Sequence, residues 1–215
     1  MVLGTFRSAL HALALTLVLA HPGRARADRG AFTLEGGGAL RLGAMRPSIG
    51  TGDQVVGTLG GAWLGVRYGF TNRIDVQLRG FWDAPATFVQ RPVTVNGTSG
   101  ALTQEVSRWG AAAGVRYVVA GIVWRMPVGF EVGWAHTSVS SRDLVDPATG
   151  ASLGLVSSEG GRDQLLLAPF AGLEWAATDH LTFSIIPRLE LLVGSQSTVG
   201  VVVPLAVGWS WFWPL

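Results

Sequence analysis

The chain contains no cysteine and no lysine. Without cysteine there is no disulfide framework, no lipid-modified N-terminal cysteine and no thiolate metal site. Without lysine, all 16 basic residues are arginine, and they form no basic run. That removes the electrostatic footprint of nucleic-acid binding, so no nucleic-acid partner is expected. Histidine is scarce too: beyond residue 27 only His136 and His180 remain, too few for a histidine-rich metal centre. Neither a metal nor a cofactor is expected. Beyond the N-terminal segment, no apolar run reaches the roughly 20 residues that a membrane-crossing helix needs.

The N-terminus reads as a secretory signal. Arg7 gives a weak positive region, Ala9 to Ala20 an apolar stretch, and Ala25-Arg26-Ala27 the small-x-small pattern of a cleavage site. Cleavage after Ala27 would leave 28–215, a single domain with no visible internal repeat. Three arginines precede that point, so the remainder carries 13 Arg against 14 Asp and Glu, a net charge of −1.

Hydrophobic residues make up 48 % of the chain, with 30 Gly and 9 Trp. Apolar content without long apolar runs implies alternation, and a period of two recurs in eight segments. Strand one (31–42) sets Phe32, Leu34, Leu40 and Leu42 against Glu35 and Arg41. Strand two (55–70) sets Leu64, Val66, Tyr68 and Phe70 against Gly65 and Arg67. Strand three (73–83) sets Ile74, Val76, Leu78 and Trp82 against Asp75 and Arg79. Strand four (107–119) sets Trp109, Val115 and Tyr117 against Arg108 and Arg116. Strand five (121–137) sets Trp124, Phe130, Val132 and Trp134 against Arg125 and Glu131. Strand six (164–176) sets Leu165, Leu173 and Trp175 against Glu174. Strand seven (181–193) sets Phe183, Ile185, Leu189 and Leu191 against Arg188 and Glu190. Strand eight (198–213) sets Val199 to Trp213, at every second position, against Gly200, Gly208 and Ser210.

Of the residues just named, strands one, three, four, five and seven show two charges each, and in each both fall on the less apolar face. The opposite face is too extensive and too bulky to be a soluble core. The period therefore points to a wall that meets lipid, with its charges inside. Such strands must close, because hydrocarbon offers the backbone no hydrogen-bond partners. Eight strands leave an interior just wide enough to be filled by side chains. Glu35, Arg41, Arg67, Asp75, Arg79, Arg116, Arg125, Glu131, Glu174, Arg188 and Glu190 are expected to pair across it. With Arg108, seven arginines face five acids, so some arginine should face lumen water near the ends. Pro127, Pro169, Pro187 and Pro204 fall inside these strands, where each removes a ladder donor.

The connections after strands two, four and six are short, and those after strands one, three and five are long. That is the spacing of a barrel with tight periplasmic turns and long outer loops. Tyr68, Phe70, Trp124, Trp175, Phe183 and Trp211 group near the short-turn end, and Trp82, Trp109 and Trp134 near the other. These two belts suit the two membrane interfaces.

The signal with Ala25-Arg26-Ala27, the strand–turn segment Gly65-Val66-Arg67-Tyr68-Gly69-Phe70-Thr71-Asn72 and the aromatic end Trp209-Ser210-Trp211-Phe212-Trp213 together resemble the OmpA/OmpX-like small outer-membrane barrels. The likeness covers nearly all of 28–215. It departs at the terminus, Trp213-Pro214-Leu215, where such barrels usually end on an aromatic residue read by the insertion machinery. The resemblance implies an all-β, eight-stranded antiparallel up-and-down barrel in the outer membrane of a Gram-negative cell. It also implies contact with outer-membrane lipids, lipopolysaccharide and the barrel-insertion machinery.

One chemical constellation stands out. His136 and Ser138 share a strand face at the outer end of strand five, as a base and a nucleophile can. Outer-membrane lipid A deacylases look similar, with a His-x-Ser on a lipid-facing strand and an acid; here the acid would be Asp143 or Glu159. The ordinary alternative is a polar pair beside the Trp134 belt. Gly36-Gly37-Gly38 suits a bulge or tight curvature better than a phosphate loop, having no lysine and no following helix. Asn96-Gly97-Thr98 matches a glycosylation sequon by chance. The Ser/Thr/Gly-rich loops 84–106 and 138–163 are candidates for a surface partner. The reading is a barrel with a structural, surface-interaction or minor-conduit role and no evident catalysis. The alternatives are a lipid hydrolase using His136 and Ser138, and a soluble, lipocalin-like ligand carrier.

Overall fold

The computed structural model describes residues 29–45, 50–53, 55–119, 121, 123–195 and 197–212; within these, the side chains at 45, 141–142, 155–159 and 212 are not described. The expected signal (1–27) and the terminal Trp213-Pro214-Leu215 lie outside the described residues. Among the described residues, twelve strands run in chain order: β1 (Ala31–Met45), β2 (Thr51–Gly52), β3 (Val55–Gly69), β4 (Ile74–Val95), β5 (Thr98–Val118), β6 (Trp124–Arg125), β7 (Pro127–Val145), β8 (Ser152–Ala171), β9 (Leu173–Ala176), β10 (Leu181–Ile185), β11 (Arg188–Val193) and β12 (Thr198–Phe212). No described helix is long and apolar enough to cross a membrane.

These strands make eight staves. β6 and β7 form the fifth, β8 and β9 the sixth, and β10 and β11 the seventh; each pairs antiparallel with its neighbours. β12 pairs back onto β1, from Ala31↔Phe212 to Gly43↔Gly200, so the sheet closes into a barrel. A hydroxyl pair, Thr33 Oγ1 and Ser210 Oγ at 2.8 Å, bridges that seam from inside. Closure satisfies the two edges that lipid could not.

Side chains alternate across the wall up to the outer aromatic belt. Leu40, Leu64 and Leu205 project outward at 63 %, 61 % and 59 % exposure, whereas every expected lumen charge from Glu35 to Glu190 is buried. A core this polar with a surface this apolar inverts the soluble pattern and fits a wall in hydrocarbon. Turns at Thr71 and Thr178 close the short end, where the chain enters at Gly30 hydrogen-bonded to Gly69.

Two features depart from the sequence expectation. The ladder is interrupted along one line across neighbouring staves, at Met126 beside Pro127, at Gly172 and at Ile186–Pro187. Pro169 and Pro204 stay in their strands, opposite Phe130 and Ala39. The backbone bridges the breaks sideways: Ala171 N donates to Pro187 O at 3.3 Å and Gly172 N to Pro127 O at 3.0 Å. Outward and inward positions stay in phase through the breaks of the sixth and seventh staves.

Second, the segments expected as loops 84–106 and 138–163 are mostly strand. β4 and β5 remain paired to Val95↔Thr98, and β7 and β8 to Val145↔Ser152. β5 and β7 pair out to Ala101↔Val145, so four strands continue as one sheet beyond the Trp82, Trp109 and Trp134 belt. At about 3.3 Å per residue, β4 runs roughly 40 Å past Trp82. The inner face of this extension carries its own apolar core, with Phe88, Val106 and Val139 below Val93, Leu102 and Leu144.

Candidate functional site

The lumen holds two tiers of charge. In the tier nearer the short turns, Glu174 accepts from Arg67 and Arg116, both at 2.8 Å, and lies 3.5 Å from Arg125. Asp75 pairs with Arg116 at 2.9 Å, and Glu35 lies 3.5 Å from Arg67. In the next tier, Glu131 holds Arg79 at 2.7 Å and Arg188 at 3.3 Å, and accepts from Gln77 Nε2 at 2.7 Å. Glu190 holds Arg41 at 2.9 Å, and Arg41 also pairs with Asp83. Aromatic faces separate the guanidiniums: Phe81 lies 4.9 Å from Arg41 and 5.1 Å from Arg79, and Trp63 lies 5.5 Å from Arg188.

Sequence reasoning left out Asp83, the last residue of expected strand three, which lies on the inner face in phase with Asp75 and Arg79. With it, the described ion pairs join six arginines to six carboxylates, so the paired network is neutral. The expected surplus arginine does not face open lumen water. Arg108, the seventh, is buried and donates through Nε to Thr137 Oγ1 at 3.2 Å. Trp63, Phe81, Leu166 and Leu192 fill the space around the upper tier, an apolar layer that a purely charged inner face would not contain.

On the outside wall, Tyr68, Trp82, Trp109, Trp124, Trp134, Trp175 and Trp211 are each 38 % exposed or more. Trp109, Trp134 and His136 cluster at the outer belt. The two tryptophans meet edge to face at 4.6 Å, and the His136 ring lies 5.7 Å from Trp109. His136 Nδ1 sits 2.9 Å from Asp163 Oδ1, which also accepts from Trp134 Nε1 at 3.1 Å. An ionised carboxylate only accepts, so Nδ1 keeps its hydrogen and donates to Asp163, which leaves Nε2 of the neutral ring as the acceptor. Nε2 hangs over Gly161, where an added Cβ would lie 2.8 Å away; Gly161 is also the residue opposite Ser138.

The acid beside His136 is thus Asp163, neither Asp143 nor Glu159. Asp143 is opposite Leu155 and Glu159 opposite Ser140, both further out, and the Glu159 side chain lies outside the described residues. Asp163 was hidden because its strand begins at 152 instead of 164, and only pairing brings it opposite His136. A recess of about 540 Å³ opens beside His136 and Ser138, lined also by Ser107, Ser140 and Glu105. Among the described residues, no hydrogen bond joins Ser138 to His136, and no described group of three or more His, Cys, Asp or Glu could hold a metal ion.

A closed, eight-stave cylinder with an apolar outside and a neutralised, filled interior is a small transmembrane β-barrel of the bacterial outer membrane. Solved barrels share this architecture. Ail, the attachment invasion locus protein of Yersinia pestis, aligns with a TM-score of 0.52 at 15 % identity, over 85 % of this chain and 99 % of that one. OprG of Pseudomonas aeruginosa gives 0.56 at 15 % identity, over 86 % and 97 %. Neisserial surface protein A gives 0.53 at 13 % identity, over 85 % and 100 %. No protein-family description and no curated protein sequence matches the chain.

Proposed function

We propose that this protein is a surface-display barrel: a plugged cylinder that anchors a four-stranded sheet outside the cell for contact with other molecules. The observation that carries this reading is the continued pairing of β4, β5, β7 and β8 beyond the outer aromatic belt. A barrel serving only as a membrane staple needs no such extension, and a conduit needs an open lumen. The described charges of the extension are mixed, with Arg91 and Arg162 beside Glu105, Asp143 and Asp146. That balance argues against a polyanion such as a sulfated polysaccharide as the partner. The test is to replace 86–104 and 140–159 by tight turns and measure attachment of cells displaying each form to host-cell layers. The shortened barrel should insert normally and lose attachment; equal attachment by both forms would refute the display role.

The His136–Asp163 hydrogen bond favours a second reading, a lipid hydrolase working at the outer interface. Ser138 Oγ would attack an ester carbonyl while His136 Nε2 takes its proton and passes it to the departing sugar hydroxyl; water would then hydrolyse the acyl-serine to free fatty acid, with Asp163 orienting the imidazole. Lipopolysaccharide, whose acyl chains and phosphosugars meet at this depth, is the substrate class within reach. Release of fatty acid from lipid A by the purified protein, abolished by Ser138→Ala and lowered at least 100-fold by Asp163→Asn, is the expected outcome. No release from the unaltered protein would eliminate this reading and leave the first intact.

A further inference from the structure

The lipid-facing wall is interrupted among the described residues. A groove of about 810 Å³ crosses it obliquely, from Trp124 on the fifth stave to Gly36 and Gly38 on β1. Its sides are the outward Leu173, Ile185, Leu205 and Val207, and its lining is almost wholly apolar. Four strand spacings of about 4.8 Å make it roughly 19 Å long. That exceeds the roughly 15 Å which one leaflet's chains span in a 30 Å hydrocarbon core.

Two circumstances open this groove. The sixth and seventh staves are broken here, at Gly172 and at Ile186–Pro187, so Gly172 and Pro187 stand where regular rungs would. Gly36 and Gly38 are outward positions where the rest of β1 carries Phe32, Leu34, Leu40 and Leu42. Neither backbone nor packing demands glycine at 38: it has no positive φ, and an added Cβ would meet nothing nearer than Gly61 O at 3.9 Å. Gly37, pointing the other way, is different, since a Cβ there would collide with the Leu205 carbonyl.

The groove's mouth is marked by rings. Trp124, Trp175 and Phe183 stack across three staves, with centroids 6.1 Å and 5.6 Å apart. They sit beside the short Thr178 turn, at the periplasmic interface, where amphipathic rings meet headgroups. From there the groove leads into the hydrocarbon.

We propose that this groove seats one acyl chain of a glycerophospholipid from the periplasmic leaflet, with its headgroup at the Trp124–Trp175–Phe183 stack. The occupant follows from position. The groove is continuous with the lipid-contacting wall, holds no charged side chain, and opens on the short-turn side, away from the lipopolysaccharide leaflet. A chain lying in it touches more protein than one lying on the convex wall.

Titration of the delipidated, folded barrel with phosphatidylethanolamine, read by native mass spectrometry, tests this. One lipid should persist under conditions that strip the others. Gly38→Leu and Leu205→Trp, which fill the groove from opposite sides, should each cut its retention at least tenfold. Leu78→Trp, elsewhere on the wall, should leave it unchanged. Circular dichroism and gel mobility establish that each variant is folded; should Gly38→Leu not fold, Leu205→Trp decides. Equal retention by folded wall variants, no retained lipid on the parent, or retention of lipid A in place of phosphatidylethanolamine would each overturn the proposal.

Discussion

At the scale of single residues, Glu174 carries more of the lumen than any other acid. It faces Arg67, Arg116 and Arg125 at once, and is buried. Its removal would leave three guanidiniums short of a counter-charge where water cannot readily compensate. Breaking a buried pair from one side typically costs about 3–5 kcal/mol. Glu174→Gln should therefore lower the unfolding free energy by about that much, read from urea transitions in phospholipid vesicles. Glu35→Gln should cost clearly less, because Glu35 meets only Arg67, at 3.5 Å, among the described ion pairs. Equal losses for the two variants would contradict the assigned geometry. The same scale explains why the acid beside His136 was misassigned. Alternation tells which face a residue takes, but it does not tell which residue stands opposite on the next strand.

Among elements, the two outer hairpins show what the period of two could have revealed. Asn96 and Gly97 both have positive φ, 50° and 83°, the conformation of a two-residue hairpin turn. Asn-Gly between Val93, Val95 and the inward-facing Gly100 and Leu102 was a hairpin signal lying in plain sequence. It was obscured by the two shifts of register in β4, at 83–86 and 90–93, which break the alternation midway. The β7–β8 turn is held differently. Asp146 accepts from Ala148 N at 2.9 Å and Thr149 Oγ1 at 2.8 Å, which holds its carboxyl below the ordinary carboxylate range. A depressed folded pKa means the support is present above the ordinary value and is lost as pH falls through the depressed one. Amides of 148–151, corrected for intrinsic exchange, should keep their protection at neutral pH and lose it in strong acid. Asp146→Ala should show the weakened state at every pH, and identical protection across the range in the parent would refute the assignment.

For the molecule as a whole, closure and plugging belong together. Eight staves leave room for side chains and little else, and here six ion-paired arginines, Trp63 and Phe81 occupy it. Reconstituted in a planar bilayer, the protein should show no ion-conducting steps at moderate voltage. A stable open conductance would mean that the plug moves as a unit, and would revive the conduit reading. The outward greasiness makes the opposite fold, a soluble carrier with an apolar cavity, untenable: Leu40, Leu64 and Leu205 would then lie in water.

Alternating hydrophobicity, fixed strand by strand along the chain, was enough to determine an all-β wall with apolar groups on one side and arginine and carboxylates on the other. This works because side-chain direction in a strand is a local property of the backbone. Register is not local. Which arginine meets which acid, that Asp83 balances the plug, that Asp163 faces His136, and that Pro187, Gly172 and the Gly36-Gly37-Gly38 run of β1 fall together as a groove were decided only when the sheet closed. Each depends on rungs between residues as far apart as Ala31 and Phe212, which no window of sequence contains.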